Sequence, residues 1–304
     1  MKLTALLFTL LTGFSFASIS MIVSRVAKDR ISFFQFFTLS NLLASVMAWI
    51  ILPNWELVPG VNWWKVLLLT GSVGVVNTTS QAAFVCSFKF GHNGLSAAIR
   101  NTASMLSMIF GLLVLHEKIS LINAFGAVVV LSSLAVIAIF GKKNSLSSDL
   151  KKWIPAVAAS FLFSGLNQIL LTGTVLLSPT DRESGVIIPC ILLSVGTANI
   201  IAAQIEKIIR HTEDKFFNFD TRTWRVLFCW SCAALLQYYL LMKALAYMRE
   251  AEMASLTWPI LIGVNVTSFA IFCRLRWKEK YPLTTLIGMF GCVLGIIMMI
   301  AGRK

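Results

Sequence analysis

The chain has 304 residues, 57% of them apolar and only 13% charged, with a mean hydropathy of +0.80. Soluble domains carry roughly 25% charged residues, so the long charge-free runs exclude the single large soluble domain that length alone would suggest. The formal charge of +13 would suit a nucleic-acid binder in a soluble chain. Here the basic residues fall between apolar runs, where lipid headgroups are their natural partners and no nucleic acid is expected.

A helix needs about 20 apolar residues to cross about 30 Å of hydrocarbon. Ten segments meet that requirement: Leu3–Val23, Ile31–Leu52, Val66–Ser87, Gly94–Leu115, Ile119–Phe140, Trp153–Leu177, Gly185–Ile205, Val226–Tyr247, Met253–Cys273 and Leu283–Ala301. Only Arg100 in the fourth and Lys243 in the eighth interrupt them with charge. Lys2 and Phe16-Ala17-Ser18 would permit a cleaved signal peptide. The first run is longer than the roughly 7–15 residues of a signal core, so a retained helix is expected. The expected fold is therefore all-α integral membrane, multi-pass, in a cell (inner or plasma) membrane, with the lipid bilayer as its standing partner.

Two linkers are longer than the rest, the polar Gly141–Lys152 and the mixed-charge Glu206–Arg225. The first divides the chain into halves of five spans, residues 1–148 and 149–304. The halves echo one another. His116-Glu117-Lys118 followed by Gly126 recurs as Lys278-Glu279-Lys280 followed by Gly288, and Phe90 with Ala97 recurs as Tyr247 with Ala254. Five spans per half is an odd number, so the second half must insert upside down. A pair of inverted repeats with a polar path near the midplane is a transporter signature. Of the 26 basic residues, 17 lie in loops after odd-numbered spans. The positive-inside rule then sets both termini outside the cytoplasm.

The pattern resembles the drug/metabolite transporter superfamily in its ten-span EamA-like form. The residues that carry the resemblance are the Glu-Lys pairs before spans five and ten, each followed by a Gly-containing helix (Phe125-Gly126-Ala127, Ile287-Gly288-Met289). With them go Ala244-Leu245-Ala246-Tyr247 and Ala254-Ser255-Leu256-Thr257-Trp258-Pro259 of spans eight and nine. The resemblance implies transport of amino acids, nucleosides, sugars or related metabolites. Thr102 stands where the family has a proline, and the charge bias opposes the cytoplasmic termini associated with it.

Arg100 is the most informative residue for function. A charge about 9 Å inside a span costs several kcal/mol unless it faces protein or water. Ser96, Ser104, Ser107 and Gly111 lie on its helical face, which predicts a polar stripe toward a cavity. Two readings stand: a guanidinium that binds a substrate carboxylate or phosphate, or a structural Arg held by neighbouring carbonyls. Other spans carry comparable stripes. Gly74, Asn77, Thr78 and Gln81 lie on span three; Ser160, Ser164, Asn167 and Gln168 on span six; Ser231, Gln237 and Tyr238 on span eight; Trp258, Asn265 and Ser268 on span nine. Singly each is interhelical glue; together they point to a polar central cavity. The expected substrate-binding set is Arg100, Asn77, Gln81, Ser104, Asn167, Gln168, Gln237, Tyr238, Trp258 and Asn265. Pro259 adds a kink or hinge.

No catalytic residue, metal site or cofactor is expected. Cys229-x-x-Cys232 sits on an apolar helix without His or carboxylate beside it, so small-residue packing explains it better than metal. No Asp or Glu lies deep in a span, and Glu117 and Glu279 sit at helix junctions. Proton relays use such groups inside the membrane, so a facilitator or exchanger is expected rather than a proton-driven pump. Gly291-x-x-x-Gly295 with Gly288 predicts a small-residue face, packed within the bundle or at a homodimer seam. The competing functions are a non-transporting structural or sensory membrane protein, and a membrane-embedded enzyme, for which no catalytic cluster is visible.

Overall fold

A computed structural model of the chain describes residues 2–26, 33–90, 93–117, 120–140, 150–210, 221–277 and 283–302. The described residues are helical, joined by short turns, with no strand among them. Twelve helices are described: α1 Lys2–Val26, α2 Phe33–Ile51, α3 Trp63–Phe90, α4 Asn93–Thr102, α5 Ser104–Leu113, α6 Leu121–Phe140, α7 Leu150–Gly173, α8 Pro179–Glu183, α9 Ile187–Arg210, α10 Thr221–Glu250, α11 Ala254–Trp277 and α12 Leu283–Ala301. Six of them are long and apolar enough to cross a membrane, and shorter apolar stretches lie at Leu3–Ile19, Ile99–Leu113 and Leu121–Val136. Hydrocarbon offers no hydrogen bonds, so a spanning backbone must satisfy its own amides, which the helix does. Lys278-Glu279-Lys280 and most of the Gly141–Lys152 linker lie outside the described residues.

The fourth predicted span is two helices. α4 ends at Thr102 and α5 begins at Ser104. The chain crosses the junction with three-residue-back bonds, Ala103 N–H to Arg100 O (3.1 Å) and Leu106 N–H to Ala103 O (2.9 Å). Side-chain hydroxyls reinforce the tightening, Thr102 Oγ1 to Ile99 O (2.7 Å) and Ser104 Oγ to Asn101 O (3.1 Å). Hydroxyls that bond back into their own turn bend helices, so the junction forms at Ala103 without a proline.

The helices gather into two compact units that do not follow the sequence halves. One comprises residues 1–17, 79–172 and 240–304; the other comprises 18–78 and 173–239. Each draws on both halves of the chain.

In the first unit, α6 packs along α12, and α11 packs on α5, α6 and α12. Gly126 and Gly295 allow the α6–α12 approach: a Cβ on Gly295 would stand 2.7 Å from Gly126 O, and one on Gly126 would stand 2.7 Å from Gly295 O. Gly291 lies against Ser133. The expected small-residue face of span ten is thus spent inside the bundle. The α6 N-terminus and the α12 C-terminus also lock together. Ser120 and Asn123 cap each other's backbone N–H, while Ser120 Oγ donates to Gly302 O and Asn123 Nδ2 to Met299 O. One orphan carbonyl of the last turn of α12 and that of Gly302 just past it are satisfied in this way.

In the second unit, α2 packs along α9. Ser45 Oγ donates to Pro189 O (2.9 Å) and Gly196 lies against Leu42. Trp230 of α10 is enclosed edge-on by Phe36 and Phe37, with centroids 6.3 and 5.0 Å away. The turns at one end of this unit are clasped. Asn54 N–H donates to Ser184 O (2.9 Å), and Asn62 N–H donates to Asp181 Oδ1 (2.8 Å). Asp181 is 1% exposed. Burial by itself would raise its carboxyl, but hydrogen bonds from Ser178 and Asn62, and the charge of Lys65, outweigh that and hold it below the ordinary carboxylate value.

Two outcomes follow. Gly295→Ala should lower stability by about 1–3 kcal/mol through overpacking against backbone, whereas Gly71→Ala, with open space at its Cβ, should raise it by about 0.5–1 kcal/mol; thermal unfolding in detergent measures both. Asp181 has a lowered folded pKa, so its stabilisation is present above about pH 4 and is lost as pH falls through the folded value. The fall in melting temperature below that pH should be shallower in Asp181→Asn.

Candidate functional site

Seven of the ten predicted site residues fall in the first unit: Gln81, Arg100, Ser104, Asn167, Gln168, Trp258 and Asn265. Asn77, Gln237 and Tyr238 fall in the second.

Three helices of the first unit carry the chemistry, and their contacts set a register. Trp153 Nε1 donates to Ser96 Oγ (2.9 Å), and Gly165 lies against Leu106. Both contacts ascend together, so α7 runs parallel to the α4–α5 pair. Gly111 lies against Ser255 and Trp258 Nε1 donates to Thr172 Oγ1 (2.9 Å), so α11 runs antiparallel to both. On that register the α4–α5 break stands near Ser160 of α7, and Arg100 stands near the level of Asn265.

Arg100 occupies the last turn of α4, half-buried, with its guanidinium carbon 4.3 Å over the ring of Phe84. That cation–π contact is worth about 0.5–2 kcal/mol, less than the cost of a charge at membrane depth. No Asp or Glu occurs in α3, α4, α5, α7 or α11, so no carboxylate on these helices can neutralise it.

The serine stripe beside Arg100 is largely a packing face. Ser96, Ser104 and Ser107 are fully buried. Ser96 holds Trp153, Ser107 Oγ donates to Ser104 O (2.9 Å), and Gly111 makes room for Ser255. The second unit repeats the pattern. Gly74 lies against Ser194, Thr78 Oγ1 donates to Asn199 Oδ1 (3.3 Å), and Ser231 Oγ donates to Ser40 O (2.9 Å). Asn77 is half-buried beside this contact, and Gln237 and Tyr238 are buried on α10.

Other polar atoms have no such outlet. Among the described residues, Ser160 Oγ, Asn167 Oδ1 and Gln168 Oε1 of α7, and Thr257 Oγ1 and Asn265 Oδ1 of α11, are buried without a hydrogen-bond partner in the protein. Each such atom costs about 1–3 kcal/mol unless a ligand or water meets it. Trp258 is different. Its N–H is held by Thr172, whose own hydroxyl donates to Gln168 O (2.8 Å). The indole is 4% exposed and oriented, leaving its ring rather than its donor for contact. Pro259 follows it inside α11 and removes one backbone donor.

Sequence reasoning missed the partners more than the sites. Thr172, four residues after Gln168, was visible as the next step of that stripe. Asn199, alone in an apolar run, signalled a buried partner. Glu117 was read as a turn residue, and it is one, but its role is larger. It is 5% exposed, and its two carboxylate oxygens accept from the N–H groups of Ala254 (2.8 Å) and Ser255 (2.9 Å). A buried anion therefore caps α11, where the helix dipole favours it. Arg249 Nη1 donates to Leu115 O (3.1 Å) beside it. Glu279, the counterpart in sequence, lies outside the described residues.

The helices and their apolar lengths define a multi-pass membrane protein. Residues 3–139 match the EamA-like transporter family. This agrees with the drug/metabolite transporter superfamily and bears out the resemblance read from the sequence. One solved crystal structure superposes with a TM-score of 0.72 at 10% identity, covering 97% of this chain and 95% of its own; at that identity the likeness is one of fold. No curated protein sequence matches the chain.

Glu117→Ala should orphan two N–H groups at the start of α11 and cost about 2–4 kcal/mol, since bonds to charged groups are worth about 1.5–3 kcal/mol each but share one carboxylate. Glu117→Gln, which keeps one acceptor, should lose less. Thermal melts of the two variants in one detergent make the comparison.

Proposed function

We propose that the chain is a ten-span transporter of a small polar metabolite, an amino acid or related anionic or zwitterionic compound, working by alternating access. The observation that carries the transport reading is the EamA-like transporter match over residues 3–139. Counting α4 and α5 as one span and leaving out the short α8 gives ten. The inverted repeat is supported by which helices pair. α2 packs with α9 and α6 with α12, which are spans two with seven and five with ten, the counterparts in two five-span halves. The compact units follow the same rule: one gathers most of spans two, three, seven and eight, the other most of one, four, five, six, nine and ten. Corresponding spans fall in the same unit.

The substrate reading rests on Arg100 and the partnerless atoms of α7 and α11. A guanidinium with no carboxylate on the neighbouring helices suits a carboxylate or phosphate, because Arg offers two parallel donors. Asn167, Gln168 and Asn265 offer hydrogen bonds to the remainder of the molecule, and the Trp258 ring forms a wall. Gln81, half-buried, and Ser104, buried, stay in the proposed set within this unit; Asn77, Gln237 and Tyr238 belong to the second unit, and their part is proposed from their polar side chains alone. With no acid deep in a span, the transporter works as a facilitator or exchanger; accumulation driven by a pH gradient in proteoliposomes would overturn that part.

A panel of anionic, zwitterionic and neutral metabolites, screened by thermal shift and then by liposome uptake, tests the reading. Arg100→Ala should weaken binding of an anionic or zwitterionic ligand by about 10- to 100-fold, the loss of a charged hydrogen-bonded pair, and Arg100→Lys should recover only part of it. Unchanged uptake in Arg100→Ala would remove the anion-binding role.

A further inference from the structure

The second unit carries a cluster of tryptophans at one end that the transport site does not use. Trp49 of α2 stacks between Trp55 and Trp63, each 6.4 Å away with interplanar angles of 28° and 23°. Trp64, which follows Trp63 in the chain, is 76% exposed, and Trp55 is 63% exposed. On α3 the exposed residues run Trp64, Leu67, Leu68 and Val75, one outward face that ends in the indole. Exposed Val46, Ile50 and Ile51 do the same on α2. The turn beyond the two helices exposes polar Asn54, Glu56 and Asn62, and Lys65 is exposed in the first turn of α3 beside the indoles. The turn is not loose, because the Asn54–Ser184 and Asn62–Asp181 bonds clasp it.

We infer that the Trp49–Trp55–Trp63 stack with Trp64 is a phospholipid-binding surface, which moors the α2–α3 turn at the boundary between headgroups and acyl chains of one leaflet. An indole suits that boundary because its ring is apolar and its N–H wants a polar partner, which glycerol and carbonyl oxygens supply. The clasp fixes the depth of the cluster relative to the helices above it. Depth then follows for the rest of the unit. At 1.5 Å per residue, Val73 lies about 15 Å deeper than Trp63, half of a core about 30 Å thick. On the same count Thr70, whose buried hydroxyl has no partner, and the hydrogen-bonded Thr78–Asn199 pair both fall within about 10 Å of the midplane.

The inference rests on the chain being a membrane protein, and that is checked separately by co-flotation of the full-length protein with phosphatidylcholine liposomes. The test itself uses such liposomes brominated near the carbonyl end or near the methyl end of the acyl chain. The fluorescence that Trp64 contributes is the difference between wild type and Trp64→Phe. It should be quenched roughly twofold more by bromine near the carbonyl end than near the methyl end. Equal quenching, stronger quenching from the methyl end, or quenching only by a water-soluble agent while the protein still floats would overturn the mooring. Should Trp64→Phe fold poorly, the same difference taken with Trp55→Phe decides it, and Trp64→Tyr should keep the wild-type melting temperature in liposomes.

Discussion

A polar group inside an apolar helix that crosses hydrocarbon has no solvent to bond, and that constraint orders the structure. In hydrocarbon the backbone satisfies itself by forming helices, and side chains then meet the same demand. Thr9, Thr12, Ser40 and Thr172 bond the carbonyl four residues back. Ser45, Ser231 and Asn123 reach a carbonyl on another helix. Helix ends, which carry unmet N–H or C=O groups, are closed by residues remote in sequence: Glu117 at the start of α11, and Ser120 with Asn123 at the end of α12.

Helix association then depends on backbones coming close, since lipid tails are as apolar as the side chains and give no hydrophobic drive. Gly126 against Gly295, Gly74 against Ser194 and Gly111 against Ser255 are where this happens. The packed pairs α2–α9 and α6–α12 each join a helix from the first half of the sequence to one from the second, and each compact unit draws on both halves. The chain passes from one unit to the other inside α1, α3 and α10, which are continuous helices at those points, and at the last residue of α7.

Against a background in which most polar groups are satisfied, the exceptions gain meaning. Among the described residues, atoms without partners on α7 and α11 lie in the same unit as the guanidinium of Arg100, and others stand at Thr38, Thr70 and Trp230 of the second unit. Arg100 precedes a break in its helix that the hydroxyls of Thr102 and Ser104 tighten. A charge and buried acceptors without partners are costly features here.

The sequence by itself determined the helical membrane class and the approximate span ends, because about 20 apolar residues in a row have few other uses. The α12 bounds agree residue for residue with the expected Leu283–Ala301. It also exposed the candidate polar residues, since each stands out in an apolar run. What it left undecided was which of them are already satisfied. Ser104 and Asn167 look alike as polar positions on a helix, yet one donates to its own turn and the other has a buried oxygen with no partner. The break at Ala103 was hidden because no glycine or proline marks it, and the interleaved units were hidden because sequence order is not packing order. Only tertiary structure settles such questions. A hydrogen bond or a close approach depends on what stands within a few ångströms, and most of those neighbours are more than a hundred residues away along the chain, as Glu117 is from Ala254.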